Sequence, residues 1–196
     1  MLKNYRNSFL FAAVAVAVAV SAVLAGCAGP APNYSPSINN VEALKKAGPN
    51  VTVKSGEIGV TPGMSGANSL SLRANSITSP VGSHYGDYLA AALRQELDMA
   101  KLSSPQSGVE ISGTLLKNNI DAGGFRTNEG QMEARFLVKS AGQVRFDKVK
   151  RIEHQWESSF AAAVAIPLAT NNYPVMVQKL VGSLVNDPDF VKAIRP

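Results

Sequence analysis

One cysteine and two histidines occur in the 196-residue sequence, so the candidates for nucleophile, proton shuttle or soft metal ligand are Cys27, His84 and His154. A single cysteine closes no intramolecular disulfide, and these three residues make no zinc-ligand spacing. His84 is expected near the start of a helix and His154 in a strand, each in a structural or surface role. Gly63-Met64-Ser65-Gly66 lacks the G-x-S-x-G spacing of a nucleophile elbow and the strand-to-helix turn around it. Asp121 and Glu129 bracket a loop and can be drawn as a carboxylate pair, but hairpin loops collect acidic residues for turn geometry and solubility. Gly123-Gly124 has neither the downstream lysine of a P-loop nor the third glycine of a dinucleotide fingerprint. The sequence predicts no catalytic residue, no metal site and no cofactor.

Cys27 remains, and its surroundings give it a chemistry. Residues 1–7 are short and basic, with Lys3 and Arg6, and residues 8–23 form an uncharged Ala/Val-rich run, the layout of a secretory signal. As a helix that run rises roughly 24 Å, short of the roughly 30 Å hydrocarbon core that a permanent span must cross. It leads into Leu24-Ala25-Gly26-Cys27, which resembles the bacterial lipobox. The resemblance implies diacylglycerol on the Cys27 thiol, cleavage before Cys27 and acylation of the new amino terminus. Residues 1–26 are then a signal peptide, and Cys27 is a lipidation site through which membrane lipid becomes a partner. One acyl chain binds marginally, whereas several, at about 0.8 kcal/mol per buried methylene, hold firmly. Ala28 stands where lipoproteins kept at the inner membrane of Gram-negative bacteria carry Asp, which implies the periplasmic face of the outer membrane.

The remaining elements must position the domain behind that anchor. Residues 27–40 are rich in Pro and Ser without apolar spacing, so they are expected to form the lipidated cysteine and a flexible tether. Residues 41–196 are expected to be a single α+β domain. In it, residues 41–47 suggest a short helix, and 51–53 with 57–60 a first extended segment. Leu70, Leu72 and Ala74 alternate like a half-buried strand. Tyr85, Leu89, Ala92, Leu93, Leu97 and Ala100 make one apolar stripe on a helix over 84–102. Strand patterns over 109–120, 131–140 and 144–160 predict an antiparallel meander, with Phe125 exposed in its longer loop. A closing helix is expected over 171–186, capped by Asn172 with Pro174 in its first turn, and residues 190–194 add a last turn. The fold class is thus α+β, an antiparallel sheet of about four strands with two helices on one face, in the order β-α-β-β-β-α.

Two aromatic residues are candidates for partner contact. Trp156 shares an alternation with Ile152, His154 and Ser158, which places it beneath a helix or on a partner-facing spot. Phe125 is the other. Residues 161–166, AAAVAI, read as a buried crossover or a contact with lipid or protein. Without the signal peptide the chain has 17 basic and 14 acidic residues, a net charge of +3. The basic residues are scattered apart from Lys148, Lys150 and Arg151, which sit beside Asp147 and Glu153 and read as a solvated strand face. No nucleic-acid partner is expected.

YLAAALRQEL, VEISGTLLKNNIDA, WESSF and NDPDFVKAI, in an order of helix, three strands and helix over residues 79–194, resemble the YajG-like family of bacterial outer-membrane lipoproteins. That resemblance implies a periplasmic domain of poorly defined biochemical role and carries over no functional residue. The resulting expectation is a non-catalytic interaction domain for envelope maintenance or assembly, with an envelope protein as partner. The alternative is a lipid- or small-ligand-binding auxiliary lipoprotein of an ABC-type transport system, with its ligand between the helices and the sheet.

Overall fold

The computed structural model describes residues 28–195; the expectations placed on the signal peptide and on Cys27 lie outside them. In chain order the elements are β1 (Ala28–Pro30), α1 (Ile38–Lys45), β2 (Lys54–Val60), β3 (Ser69–Leu72), β4 (Asn75–Thr78), α2 (Tyr85–Met99), β5 (Val109–Asp121), β6 (Thr127–Ser140), β7 (Gln143–Glu157), α3 (Ala162–Val185) and α4 (Pro188–Ala193). The strands form a four-stranded sheet in the order β2-β5-β6-β7 and a three-stranded sheet in the order β1-β4-β3. The fold is α+β, as the periodicities imply. Its main sheet is mixed rather than wholly antiparallel, because α2 lies between β2 and β5 in the chain and returns it to the sheet in the same direction.

The meander β5-β6-β7 follows from strict alternation. Met132, Ala134, Phe136 and Val138 of β6 are buried on the face that meets the helices. The intervening Glu133 and Arg135 meet Arg151 and Asp147 of β7 on the other face, a solvated ladder of ion pairs. Against the buried face lie Leu89, Leu93 and Leu97 of α2 and Tyr173, Met176, Val177 and Leu180 of α3. Gly130 lies where α3 crosses β6; a Cβ there would stand 2.4 Å from the Met176 sulfur, so that side chain would have to shift.

Three expectations need correction. The closing helix begins at Ala162, not 171, so Pro167 and Pro174 both lie inside it. Alanine-rich sequence favours helix, and Ala165 and Ala169 extend the buried stripe of Tyr173, Met176 and Leu180 backwards, which outweighs the two lost amide donors. Asn172 therefore caps nothing; its amide donates to the Leu168 carbonyl at 2.8 Å within the helix. Residues 69–78 are a hairpin rather than one strand, because Arg73 takes a left-handed backbone (φ 58°) and turns β3 into β4.

The third correction concerns the tether. Ala28–Pro30 pairs in parallel with β4, from Ala28 opposite Ser76 to Pro30 opposite Thr78. The chain then runs as a strap across α2 and α3. Tyr34 is buried and donates its hydroxyl to Glu96 of α2. Ser37 N and Asn40 Nδ2 reach the same carboxyl oxygen at 2.9 and 3.2 Å. Tyr88 donates to the Pro32 carbonyl at 2.8 Å, and Gln178 to that of Ser35 at 2.7 Å. A segment too polar to bury much surface by itself is ordered because distant helices supply its hydrogen-bond partners. At its far side, Arg195 donates to the Ala47 and Lys46 carbonyls.

Candidate functional site

The two ends of the main sheet are built from different chemistry, and each is a candidate for contact. At one end β5 finishes at Asp121, β6 starts at Thr127 and β7 finishes at Glu157; this is the end at which the described chain begins. The opposite end carries the turn between Ser140 and Gln143. Eight steps along β7, from Lys148 to Trp156, lie between the two features described next, roughly 26 Å.

The first end is organised by Arg73. Its guanidinium donates to four main-chain carbonyls: Ala122 at 2.8 Å, Gly124 at 3.0 Å, Ser159 at 2.8 Å and Phe160 at 3.0 Å. One side chain thereby joins the β5–β6 loop to the β7–α3 connection. The five-donor fork suits this task better than a lysine would. The loops so joined carry Phe125 and Phe160, which are 66% and 78% exposed and pack ring to ring at 5.4 Å with a 58° tilt. Val164, half exposed, follows in the first turn of α3.

Trp156 is placed otherwise than a partner-facing reading requires. It is buried, stacks on His154 at 5.5 Å and is the β6–β7 register partner of Asn128. Its Nε1, both amide atoms of Asn128 and the Ser158 hydroxyl have no protein hydrogen-bond partner among the described residues. Of the two aromatic candidates, Phe125 is at the surface and Trp156 is in the core.

The opposite end is organised by Asp187. This carboxylate caps α4 through the Asp189 amide at 2.8 Å and accepts hydrogen bonds from Lys148 at 3.0 Å and from Lys150. Burial disfavours its charge, but the hydrogen bonds from Lys150, Lys148 and the Asp189 amide outweigh burial and hold the carboxyl well below the usual range. Hydrogen bonds to Asp189 and Asp187 push the Lys148 ammonium above its ordinary value. Lys148 and Lys150 both point towards α4, because positions two apart on a strand point the same way; Lys150 is largely covered there, whereas Lys148 stays exposed to solvent. Arg151 alone faces outward, to Glu133 at 2.7 Å. Beside the Asp187 cluster lies an open cleft of about 720 Å³ whose cations are Arg145, Lys148, Lys192 and Arg195 and whose anions are Asp147 and Asp189.

The residues weighed for catalysis all have structural work. His84 caps α2 in a reciprocal capping box with Asp87. His154 contacts Asn172 at 2.9 Å and Lys179 at 2.8 Å. Asp121 and Glu129 are register partners across β5 and β6, and Asp121 accepts from the Gly123 amide at 2.9 Å, an Asx-type turn. Gly66, from the Gly63–Gly66 loop, offers its carbonyl to Asn118 at 2.9 Å. Arg73 and Asp187 escaped sequence reasoning. The only local hint to either was Asp187-Pro188, a cap followed by a proline suited to a first turn.

No family model and no curated protein matches this sequence, so the YajG-like resemblance has no sequence match behind it. The structure is similar to the crystal structure of a Xanthomonas campestris protein of the DUF330 family, with a TM-score of 0.53, 10% identity, and coverage of 85% of this chain and 96% of that one. A second solved structure, of an uncharacterized protein, is 10% identical over 80% of this chain and 97% of its own, with a TM-score of 0.40. The first likeness establishes a shared α+β fold and nothing about activity.

Proposed function

We propose that this chain is a lipid-anchored, non-catalytic interaction domain of the bacterial envelope, held at the periplasmic face of the outer membrane through acylated Cys27. The observation that carries this reading is the Leu24-Ala25-Gly26-Cys27 motif standing immediately before a residue, Ala28, that is already paired in the sheet. No helix among the described residues is long and apolar enough to cross a membrane. The space between helices and main sheet, where the transport-accessory alternative would hold its ligand, is filled by Tyr85, Tyr88, Tyr173, Met176 and Phe136. That packing favours a surface at which another protein docks over an interior that takes up a small molecule. The face available to an envelope partner is the one remote from Ala28, with the cleft of Arg145, Lys192 and Arg195.

Cell fractionation of the wild-type chain and of Cys27→Ser, with mass spectrometry of the amino-terminal peptide, tests the anchor. The expected result is an acylated Cys27 peptide in the membrane fraction and an unacylated, uncleaved amino terminus in the variant. An unacylated Cys27 peptide from the wild-type chain sinks the proposal. Mild cross-linking in cells followed by purification tests the partner; hydrolytic or transferase activity in the purified chain, with no specific cross-linked partner, sinks the non-catalytic part.

A further inference from the structure

We propose that Phe125, Phe160 and Val164 form an apolar foot that enters the headgroup zone of the bilayer in which the Cys27 acyl chains are embedded. The inference rests on the lipid-anchor reading and adds to it a contact that the anchor by itself does not require. Its basis is the absence of slack. β1 runs parallel to β4, and β4 runs away from the Arg73 turn, so the chain preceding Ala28 leaves the sheet towards that turn. One inter-strand step and about three residues of chain separate Ala28 from Arg73, roughly 11 Å. Cys27 adds a single Cα–Cα step of about 3.8 Å. The guanidinium of Arg73 in turn grips the main chain of Phe160 and Gly124, next to Phe125. A lipid attached at Cys27 therefore brings this end of the domain, and not the other, against the membrane surface.

What that end presents fits the interface. Phe125, Phe160 and Val164 are 66, 78 and 50% exposed, and the alanines at 161–163 between them are exposed as well, a continuous apolar stretch on two joined segments. The other large exposed apolar side chains, Ile38, Val81, Met99, Val144 and Val149, are scattered singly, as on any soluble surface. Arg126, exposed beside Phe125, can lie at the level of the phosphates. The exposed carboxylates of Asp121, Glu129 and Glu157 at this end oppose attraction to anionic lipid, so insertion is apolar rather than electrostatic. The rings are also held at a fixed height, because both loops are bonded to one arginine. Aromatic side chains at the headgroup level sit where an apolar body and a wet rim are both satisfied.

The test uses the full chain, lipidated in cells, purified in detergent and reconstituted into vesicles of phosphatidylethanolamine and phosphatidylglycerol. Phe125→Trp and Phe160→Trp each add one emitter to the buried Trp156, which stays as a constant background; Val149→Trp on the outward face of β7 is the control. Brominated acyl chains are expected to remove about half of the emission added at 125 and 160 and to leave that at 149 unchanged, consistent with a depth of roughly 5–10 Å. Acrylamide in water should show the reverse order, and the pattern should persist without phosphatidylglycerol and in high salt. Emission at 125 and 160 that responds to acrylamide as at 149, in vesicle-bound protein, overturns the foot while leaving the anchor standing. Shielding that develops only on adding envelope protein also overturns it, in favour of a protein contact. An unacylated Cys27 peptide, read independently by mass, removes the anchor and the foot together.

Discussion

Arginine and lysine organise the two ends of β7 in opposite ways. At the end near Ala28, Arg73 satisfies neutral main-chain carbonyls and leaves two phenylalanine rings free at the surface. At the other end Lys148 and Lys150 neutralise a buried carboxylate and border a cleft of mixed charge. The first arrangement contains no acidic partner, so its strength does not change with carboxylate protonation. The second depends on Asp187 remaining ionised. The proposed contact of the first end with lipid is served by holding it without ion pairs that the interface would desolvate, whereas an end facing water tolerates them. The strap of residues 31–37 joins the two, running from the first end to α1, and just past α1 the Lys46 and Ala47 carbonyls meet Arg195 at the second.

Breaking the strap gives the largest expected effect. Glu96→Ala leaves the buried Tyr34 hydroxyl and the Ser37 amide without their acceptor and costs about 3–5 kcal/mol of unfolding free energy in urea. It also releases residues 31–37, so their amide hydrogen exchange should rise. Unchanged exchange in the strap would show that Glu96 does not hold it.

Asp187→Ala comes next, at about 2–3 kcal/mol, from a lost helix cap and two lysines left with one fewer anion. Its carboxyl is held below the usual carboxylate range, so the stability it contributes is fully present above about pH 4 and is lost as pH falls towards the depressed folded value. The variant should therefore lose less stability on acidification than the wild type, read from denaturant midpoints between neutral and strongly acidic pH.

Arg73→Ala is expected to cost about 1–2 kcal/mol, less than four separate bonds suggest because the side chain is partly solvated. Its effect should be constant across the same pH range, and exchange should rise in residues 122–126 and 158–161 together. A pH-dependent effect would erase the distinction between the ends. Smallest of all, Asn128→Leu should change stability by less than about 1 kcal/mol, since its buried amide has no protein partner to lose. A loss well beyond that would assign the amide a role in holding Trp156.

Local periodicity made much of this fold legible. The stripe from Tyr85 to Leu97 and the alternation of Met132, Ala134, Phe136 and Val138 are written in neighbouring residues, and helix α2 and the meander followed to within a few positions. Signals that need a distant partner were misread. Tyr34 looked like part of a tether because Glu96, which orders it, is 62 residues away. For Trp156 the alternation left two readings open, beneath a helix or facing a partner, and its burial decides for the first. Pro174 fits a first helical turn as well as it fits a helix interior held by burial of Ala165 and Ala169.

The sequence by itself determined the address-like motif ending at Cys27, the α+β class and the exposure of Phe125, since each depends on residue type and short-range spacing. Tertiary structure decided that residues 28–37 would be ordered against β4, α2 and α3, that Phe125 would meet Phe160, and that two lysines of a surface-looking cluster would turn towards Asp187. Those outcomes depend on hydrogen-bond partners and packing surfaces brought together from parts of the chain far apart in sequence, and spacing along one segment carries no record of them.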